Sequence, residues 1–300
     1  MAFHIENIFS VKDKVVVITG GGSGLGKALA EGFAQNGAKV YITGRRAEVL
    51  NRAAKEIEGT ASEGGQVIPI PGDVGTKHGC AQLVEQIEHK EKHIDVLINN
   101  AGLPGSITYP AWDPNDADAV QEGLWKSLDD DSFASTNSVN ISGVYFTTVG
   151  FVPLLRKSPD PSVIVIASLA AVMNQRAMGT LTYATSKLLA GRFHPMKIRV
   201  NAILPGIFPS EMTTTNKSSA SASLNHFATA AAKRCTAGDS IADFTVGRAG
   251  LPEEIVGPCL MLSSKAGGYM NGGCIMVDGG RAMGGSINDG IRMPEDTYSY

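Results

Sequence analysis

Residues Val15–Ala30 read "VVVITGGGSGLGKALA". The first five residues form an apolar run of the length and kind that suits a strand covered on both faces. The glycines that follow permit a tight turn, and helical spacing resumes from Gly24. Backbone N–H groups at such a helix start can face a pyrophosphate. The spacing is Gly20-x-x-x-Gly24-x-Gly26, not G-x-G-x-x-G. A glycine-rich turn can also be purely structural, but its place between a buried strand and a helix favours the phosphate-binding reading.

Similar short runs recur on either side of helical patterns. They are "KVVVIT" (14–19), "KVYIT" (39–43), "QVIPI" (66–70), "IDVLI" (94–98), "SVIVIA" (162–167), "IRVNAI" (198–203) and "GCIMVD" (273–278). The helical stretches "LGKALAEGFAQNG" and "EVLNRAAKEIEG" both end at glycines, as helix C-caps often do. A further helix begins at "LPEEIVGPCLML". Repeated βα units predict an α/β fold: one Rossmann-type, doubly wound parallel sheet of about seven strands in a single domain, residues 1–300. Two stretches break the rhythm, an acidic, proline-punctuated insertion (103–132) and a Ser/Thr/Ala-rich segment (207–247). Segments of this length tend to be lids or binding loops, the alternative being a solvated excursion.

The chain of 300 residues is 43% hydrophobic and 18% charged, which argues for a packed core and against disorder. A net charge of -3 gives no reason to expect nucleic acid as a partner. No apolar run reaches the ~18 residues of a membrane span, and the start "MAFHIENIFSVKDK" lacks the pattern of a secretion signal. Cys80, Cys235, Cys259 and Cys274 are widely spaced, so reduced thiols in a cytoplasmic protein are expected. His89 and His93 share a metal-ligand spacing, but the surrounding "EQIEHKEKHID" reads as a polar helix end, and no metal is expected. Asp129–Asp131 reads as a solvated helix start, and the Asn140-Ile-Ser sequon carries no meaning in a buried cytosolic setting.

The second strand ends "YITGRR". NAD-preferring sites place an acid near there for the ribose 2′-OH, whereas here Gly44 is followed by Arg45 and Arg46. A guanidinium suits a 2′-phosphate through paired, charge-assisted bonds, so NADP(H) is favoured, with Arg45 the better placed of the two. The alternative is that both arginines are ordinary solvated surface.

Taken together, the chain resembles the short-chain dehydrogenase/reductase family over about residues 12–281. The resemblance rests on T-G-x-x-x-G-x-G (Thr19–Gly26), "GDV" (72–74), "NNAG" (99–102), Asn140 in "VNISGVYF" and Ser168 in "VIASLAAV". It continues through Y-x-x-x-K (Tyr183, Lys187), "RVNAILPG" (199–206) and "YMNGGCIMVDGG" (269–280). It implies NADP(H) across the carboxyl edge of the sheet, with Thr19, Gly20, Ser23, Gly24, Leu25 and Gly26 at the phosphates and Arg45 at the 2′-phosphate. Asp73 and Val74 would hold the adenine. Asn99, Ala101 and Gly102 would support the adenosine ribose side, unless Asn99 only bonds backbone between strands. Pro205, Gly206 and Ile207 would pack along the nicotinamide, and Thr213 would reach the carboxamide or a phosphate.

The resemblance also implies a catalytic set of Asn140, Ser168, Tyr183 and Lys187. A free tyrosine titrates near pH ~10, and an ammonium one helical turn away favours its phenolate. Tyr183 would then act as general acid in ketone reduction and general base in alcohol oxidation, with Lys187 tuning it and holding the nicotinamide ribose. Ser168 would donate to the substrate oxygen, and Asn140 would hold a water linking Lys187 to solvent. By spacing alone, Tyr183 and Lys187 are also an ordinary exposed i,i+4 pair.

Only ten residues separate Lys187 from Ile198. That is about eight fewer than the family pattern, equivalent to ~12 Å of helix and a net rotation of ~80°. Three explanations compete: a real shortening, an alternative splice or gene-model error, or an inactive family member. The usual pairing of this helix across a homodimer or homotetramer is placed in doubt. A catalytically silent dinucleotide-binding protein is therefore the alternative function. "LPGIFPSEMTT" (204–214) resembles the corresponding loop of ketoacyl reductases of rhamnolipid synthesis, and the acidic insertion resembles fungal secondary-metabolism relatives. Phe208, Met212, Leu224 and Phe227 suggest a hydrophobic carbonyl or alcohol substrate under a lid, or else plain core packing.

Overall fold

The structure is a computed structural model that describes residues 3–61, 65–104, 116–127, 129–169, 197–209, 249–280 and 282. All seven expected strands are present: β1 (Val15–Thr19), β2 (Lys39–Gly44), β3 (Gln66–Pro71), β4 (Val96–Asn99), β5 (Ser162–Ile166), β6 (Arg199–Pro205) and β7 (Cys274–Val277). They form one parallel sheet in the order β3-β2-β1-β4-β5-β6-β7. The order reverses at β1, so the crevice between the carboxyl ends of β1 and β4 is the topological switch point where α/β sheets bind ligands.

The described helices are α1 (Ile5–Ile8), α2 (Gly24–Gln35), α3 (Ala47–Glu58), α4 (Lys77–Glu88), α5 (Ala117–Ser127), α6 (Asp130–Asn137), α7 (Val144–Leu155) and α8 (Pro252–Leu262). Strand β1 shows why both faces are covered. Val16 and Ile18 join Leu29 and Phe33 of α2, Leu50 and Ile57 of α3, and Ile255 and Leu262 of α8. Val15 and Val17 point the other way, onto Leu83 and Ile87 of α4 and Phe151 and Leu154 of α7. The glycines after α2 and α3 lie where the sequence suggests: Gly37 takes a left-handed φ of 81° and Gly59 caps α3.

Three features refine the sequence expectations. Within the acidic insertion, Ala117–Ser127 is helical rather than loop, whereas α6 begins at Asp130 as the Asp129–Asp131 helix start suggests. Phe208 is buried in the core beside Gly250, where a β-carbon would come within 2.4 Å of its ring, in line with the core-packing alternative. Finally, Asp130–Leu155 is one continuous helical rod of 26 residues, long and apolar enough by length and composition to cross a membrane. Counting apolar runs missed it because Asn, Ser and Thr interrupt the pattern. Here Phe151, Leu154 and Leu155 bury its apolar face against the sheet.

The amino-terminal edge of the sheet is stapled by polar contacts. Arg199 donates to Asp160 Oδ1 through Nε (3.2 Å) and Nη2 (3.0 Å), and to the carbonyls of Leu262 (2.9 Å) and Gly267 (3.0 Å). Lys14 donates to the Ser263 carbonyl at 2.6 Å. Asp95 accepts from the Val15 amide at 2.9 Å and from the Ser158 hydroxyl at 2.5 Å. The opposite, carboxyl-terminal edge is left to loops, and the candidate site lies there.

Candidate active site

The glycine turn sits on the end of β2. Gly20 and Gly21 both donate their amides to the Thr43 carbonyl, at 2.8 and 3.2 Å. Gly20 and Gly24 adopt φ values of 68° and 52°, which a side chain would strain. Gly26 is needed for a different reason: a β-carbon there would lie 2.1 Å from the Gly20 carbonyl oxygen and 2.5 Å from Asn100 Nδ2. The first turn of α2 is thereby drawn against the loop. Ser23 takes the N-cap position without a capping bond from its side chain, and half-buried Leu25 packs against the core. The amides of that turn lack intrahelical partners, as in any helix start, so the cradle fits a pyrophosphate.

Thr19 is buried, and its hydroxyl accepts from the amides of Asn100 (3.1 Å) and Ala101 (3.0 Å). It shapes the loop from beneath. Asn100 completes the tie by donating Nδ2 to the carbonyls of Thr19 (3.1 Å) and Gly20 (3.2 Å). Asn99, expected on the ribose side, is buried and donates Nδ2 to Thr148 Oγ1 at 3.0 Å. Its side chain is committed to α7, in line with the structural alternative. The sequence reading missed Asn100. Period-two alternation at the end of β4 was the available signal, since successive side chains point to opposite faces.

Arg45 is exposed just past β2, and Asp73 is exposed just past β3 with Oδ1 accepting from the Gly75 amide at 2.9 Å. Val74 is buried, and its carbonyl accepts from the Cys80 thiol at 3.3 Å. Burial pushes the Cys80 thiol pKa up, which leaves it unreactive. A β-carbon on Gly75 would stand 3.2 Å from Val139 and 3.4 Å from the Ser138 hydroxyl, so these two residues also border the Asp73 corner. They too escaped the sequence reading.

Ser138–Gly143 forms a π-helical turn between α6 and α7, the kind of irregularity found at functional sites. Buried within it, Asn140 accepts from the Leu103 amide at 2.8 Å and donates to the Leu103 carbonyl at 2.9 Å. Its amide thus fixes the chain just beyond Gly102. Replacing it strips two partners from Leu103. Asn140→Ala is expected to cost about 2–3 kcal/mol of stability, read by denaturant unfolding.

Ser168 is half-buried beyond the carboxyl end of β5. Pro205, Gly206 and Ile207 leave β6 at the same edge. The Gly206 amide donates to the Val277 carbonyl at 2.9 Å, and a β-carbon there would fall 2.8 Å from the Asp278 Cα. Tyr183, Lys187 and Thr213 lie outside the described residues, as do Met212, Leu224, Phe227 and Cys235. His89 Nδ1 is 2.7 Å from its own helix's Glu85 carbonyl, and His93 Nε2 is 3.4 Å from Asp95. Asp129 caps α6, accepting from the Ser132 amide at 2.7 Å, and that bond holds its carboxyl below the usual range.

The strand order, the glycine cradle and the loops converging on one edge define a Rossmann-type fold of the dinucleotide-binding kind. Residues 14–221 match the family model described as short chain dehydrogenase, and the chain belongs to the short-chain dehydrogenase/reductase family. It is 34% identical over 290 residues to the short-chain dehydrogenase/reductase PhomF of Diaporthe leptostromiformis, covering 92% of this chain and 93% of that protein. It is 29% identical over 286 residues to the rhamnolipids biosynthesis 3-oxoacyl-[acyl-carrier-protein] reductase of Pseudomonas aeruginosa, covering 91% and 97%. A solved Pseudomonas aeruginosa RhlG/NADP active-site complex superimposes with a TM-score of 0.74 at 27% identity, covering 92% of this chain and 98% of that one. Members of this family are oxidoreductases that use NAD(P).

Proposed function

We propose that the protein is an NADP(H)-dependent oxidoreductase that interconverts a ketone and a secondary alcohol. The observation that carries this reading is the convergence of Gly20–Gly26, Arg45, Asp73, Ala101–Gly102, Ser168 and Pro205–Ile207 on one edge of a parallel sheet. The glycine cradle would hold the phosphates, Arg45 the 2′-phosphate, and Asp73 with Val74 the adenine. Bound cofactor supplies or accepts the hydride. Tyr183 gives a proton to the carbonyl oxygen in reduction and removes it in oxidation, with Lys187 favouring its phenolate form. Ser168 donates to the same oxygen. The segment 207–247 would serve as the lid over a small, apolar carbonyl compound, and a homodimer or homotetramer is the proposed assembly.

The test is consumption of NADPH, followed at 340 nm, across a panel of aliphatic and aromatic ketones and 3-oxoacyl thioesters. Turnover of one ketone supports the reading. NADPH binding without any turnover would instead establish the silent dinucleotide-binding alternative, which the ten-residue span after Lys187 motivates. Arg45→Ala should raise the Kd for NADPH by about 10- to 100-fold, the loss expected for a charge-assisted contact, and leave that for NADH unchanged. Equal effects on the two cofactors would remove Arg45 from the 2′-phosphate.

A further inference from the structure

The amino-terminal edge of the sheet, opposite the candidate active site, differs in charge from the chain as a whole, whose net charge is -3. Strands β1, β4, β5 and β6 are neighbours, and the segments leading into them carry Lys12, Lys90, Lys92, Arg156, Lys157 and Lys197. All six are exposed and form no ion pair among the described residues. Adjacent strands lie ~4.8 Å apart, so these cations share a front roughly 15 Å wide. The described carboxylates of the same segments are engaged: Glu91 with Lys39 and Tyr41, Asp95 with the Val15 amide and Ser158, and Asp160 with Lys14 and Arg199. Asp13 is the exposed exception.

A second feature falls on this edge. Helix α1 precedes β1 and lies against Lys265–Gly267, the turn that follows α8. It buries none of its residues, and Phe3, Ile5 and Phe9 stand 90%, 67% and 41% exposed, with Tyr269 beyond the turn fully exposed. Val11 is wholly buried, so this apolar segment is tethered to the fold. Helix dipoles favour a cation at each helix end, which accounts for part of the charge but gives no reason for apolar side chains beside it. Exposed aromatic and aliphatic groups flanked by lysines suit a segment that lies in a lipid headgroup layer.

We infer that this edge docks on an anionic lipid surface, with Phe3, Ile5 and Phe9 entering the headgroup layer and the basic front held by lipid phosphates and carboxylates. A second copy of the chain is the poorer occupant, since a twofold contact would set the basic front against itself. The contact lies on the membrane and does not span it, and it leaves the carboxyl edge of the sheet turned toward solvent. It does not depend on the oxidoreductase reading.

The test is co-sedimentation of the full chain with vesicles of phosphatidylcholine alone, or of phosphatidylcholine and phosphatidylserine in a three-to-one ratio. The chain is expected to pellet with the mixed vesicles at low salt and to stay in solution with phosphatidylcholine. Salt at about 1 M, where the Debye length falls to ~3 Å, should release it. Two variants at exposed positions separate the contributions, with the melting temperature of each confirming its fold. Lys92→Gln/Arg156→Gln/Lys157→Gln should weaken partitioning by about 100-fold, at the usual contribution of three surface cations. Phe3→Ser/Ile5→Ser/Phe9→Ser should weaken it by about tenfold or more. Wild type that stays in the supernatant of the mixed vesicles overturns the inference. So does undiminished partitioning of either variant; in the apolar one, the edge would be reading charge alone, as for a nucleic acid or an acidic protein.

Discussion

Gly26→Ala is expected to abolish dinucleotide binding and to lower stability by about 3 kcal/mol, at the upper end of the usual cost of overpacking. The new methyl would stand 2.1 Å from the Gly20 carbonyl oxygen and 2.5 Å from Asn100 Nδ2. Neither neighbour is a flexible side-chain end. The Gly20 amide is tied to Thr43, and the Asn100 side chain is tied to Thr19 and Gly20. Relief requires moving the start of α2 away from the loop, which breaks the cradle and the β1–β4 tie together. NADPH titration and urea unfolding of the same sample read the two losses. A comparison variant separates packing from general intolerance of change: a methyl on Gly257 in α8 would meet nothing within 4 Å among the described residues, and Gly257→Ala should be neutral or stabilising. A Gly26→Ala protein that still binds NADPH with wild-type affinity would show that the loop and helix need not approach so closely.

Tyr183→Phe should lower turnover by 10²- to 10⁴-fold, the usual range for one general acid–base group, while NADPH affinity stays at the wild-type level. The phenol would carry the proton and contribute little to holding the dinucleotide, so the two readouts part. Turnover within about threefold of wild type would dismiss it as the acid–base group.

The sheet was legible because β-branched residues crowd into short runs at regular intervals, a local signal that buried parallel strands demand. The glycine cradle was legible for a similar reason: φ above zero and a helix pressed against a loop leave few residue types to choose from. Asn99 and Asn100 show where such reading stops. They are the same residue type in adjacent positions, and strand geometry alone sends one to Thr148 and the other to Thr19 and Gly20. The grip of Asn140 on Leu103 joins positions far apart in the chain, and the π-turn that aims it leaves no periodicity to detect. Phe208 stayed open between two readings, because an aromatic in a loop-like stretch looks the same whether it meets a ligand or the core.

The polar staple on the amino-terminal edge bears on how the chain leaves the sheet. The start of β6 is seated by Arg199 on Asp160 and on the carbonyls of Leu262 and Gly267, none of which belongs to the stretch leading into that strand. Ile198 beside it is buried among residues of β1, β4 and α7. Among the described residues, the footing of β6 thus comes from β1, β4, α7, the end of α8 and the turns beside them. A strand moored in this way has an origin fixed by the sheet's far side, so the entry angle of the chain that leaves its other end toward the cofactor edge is set there.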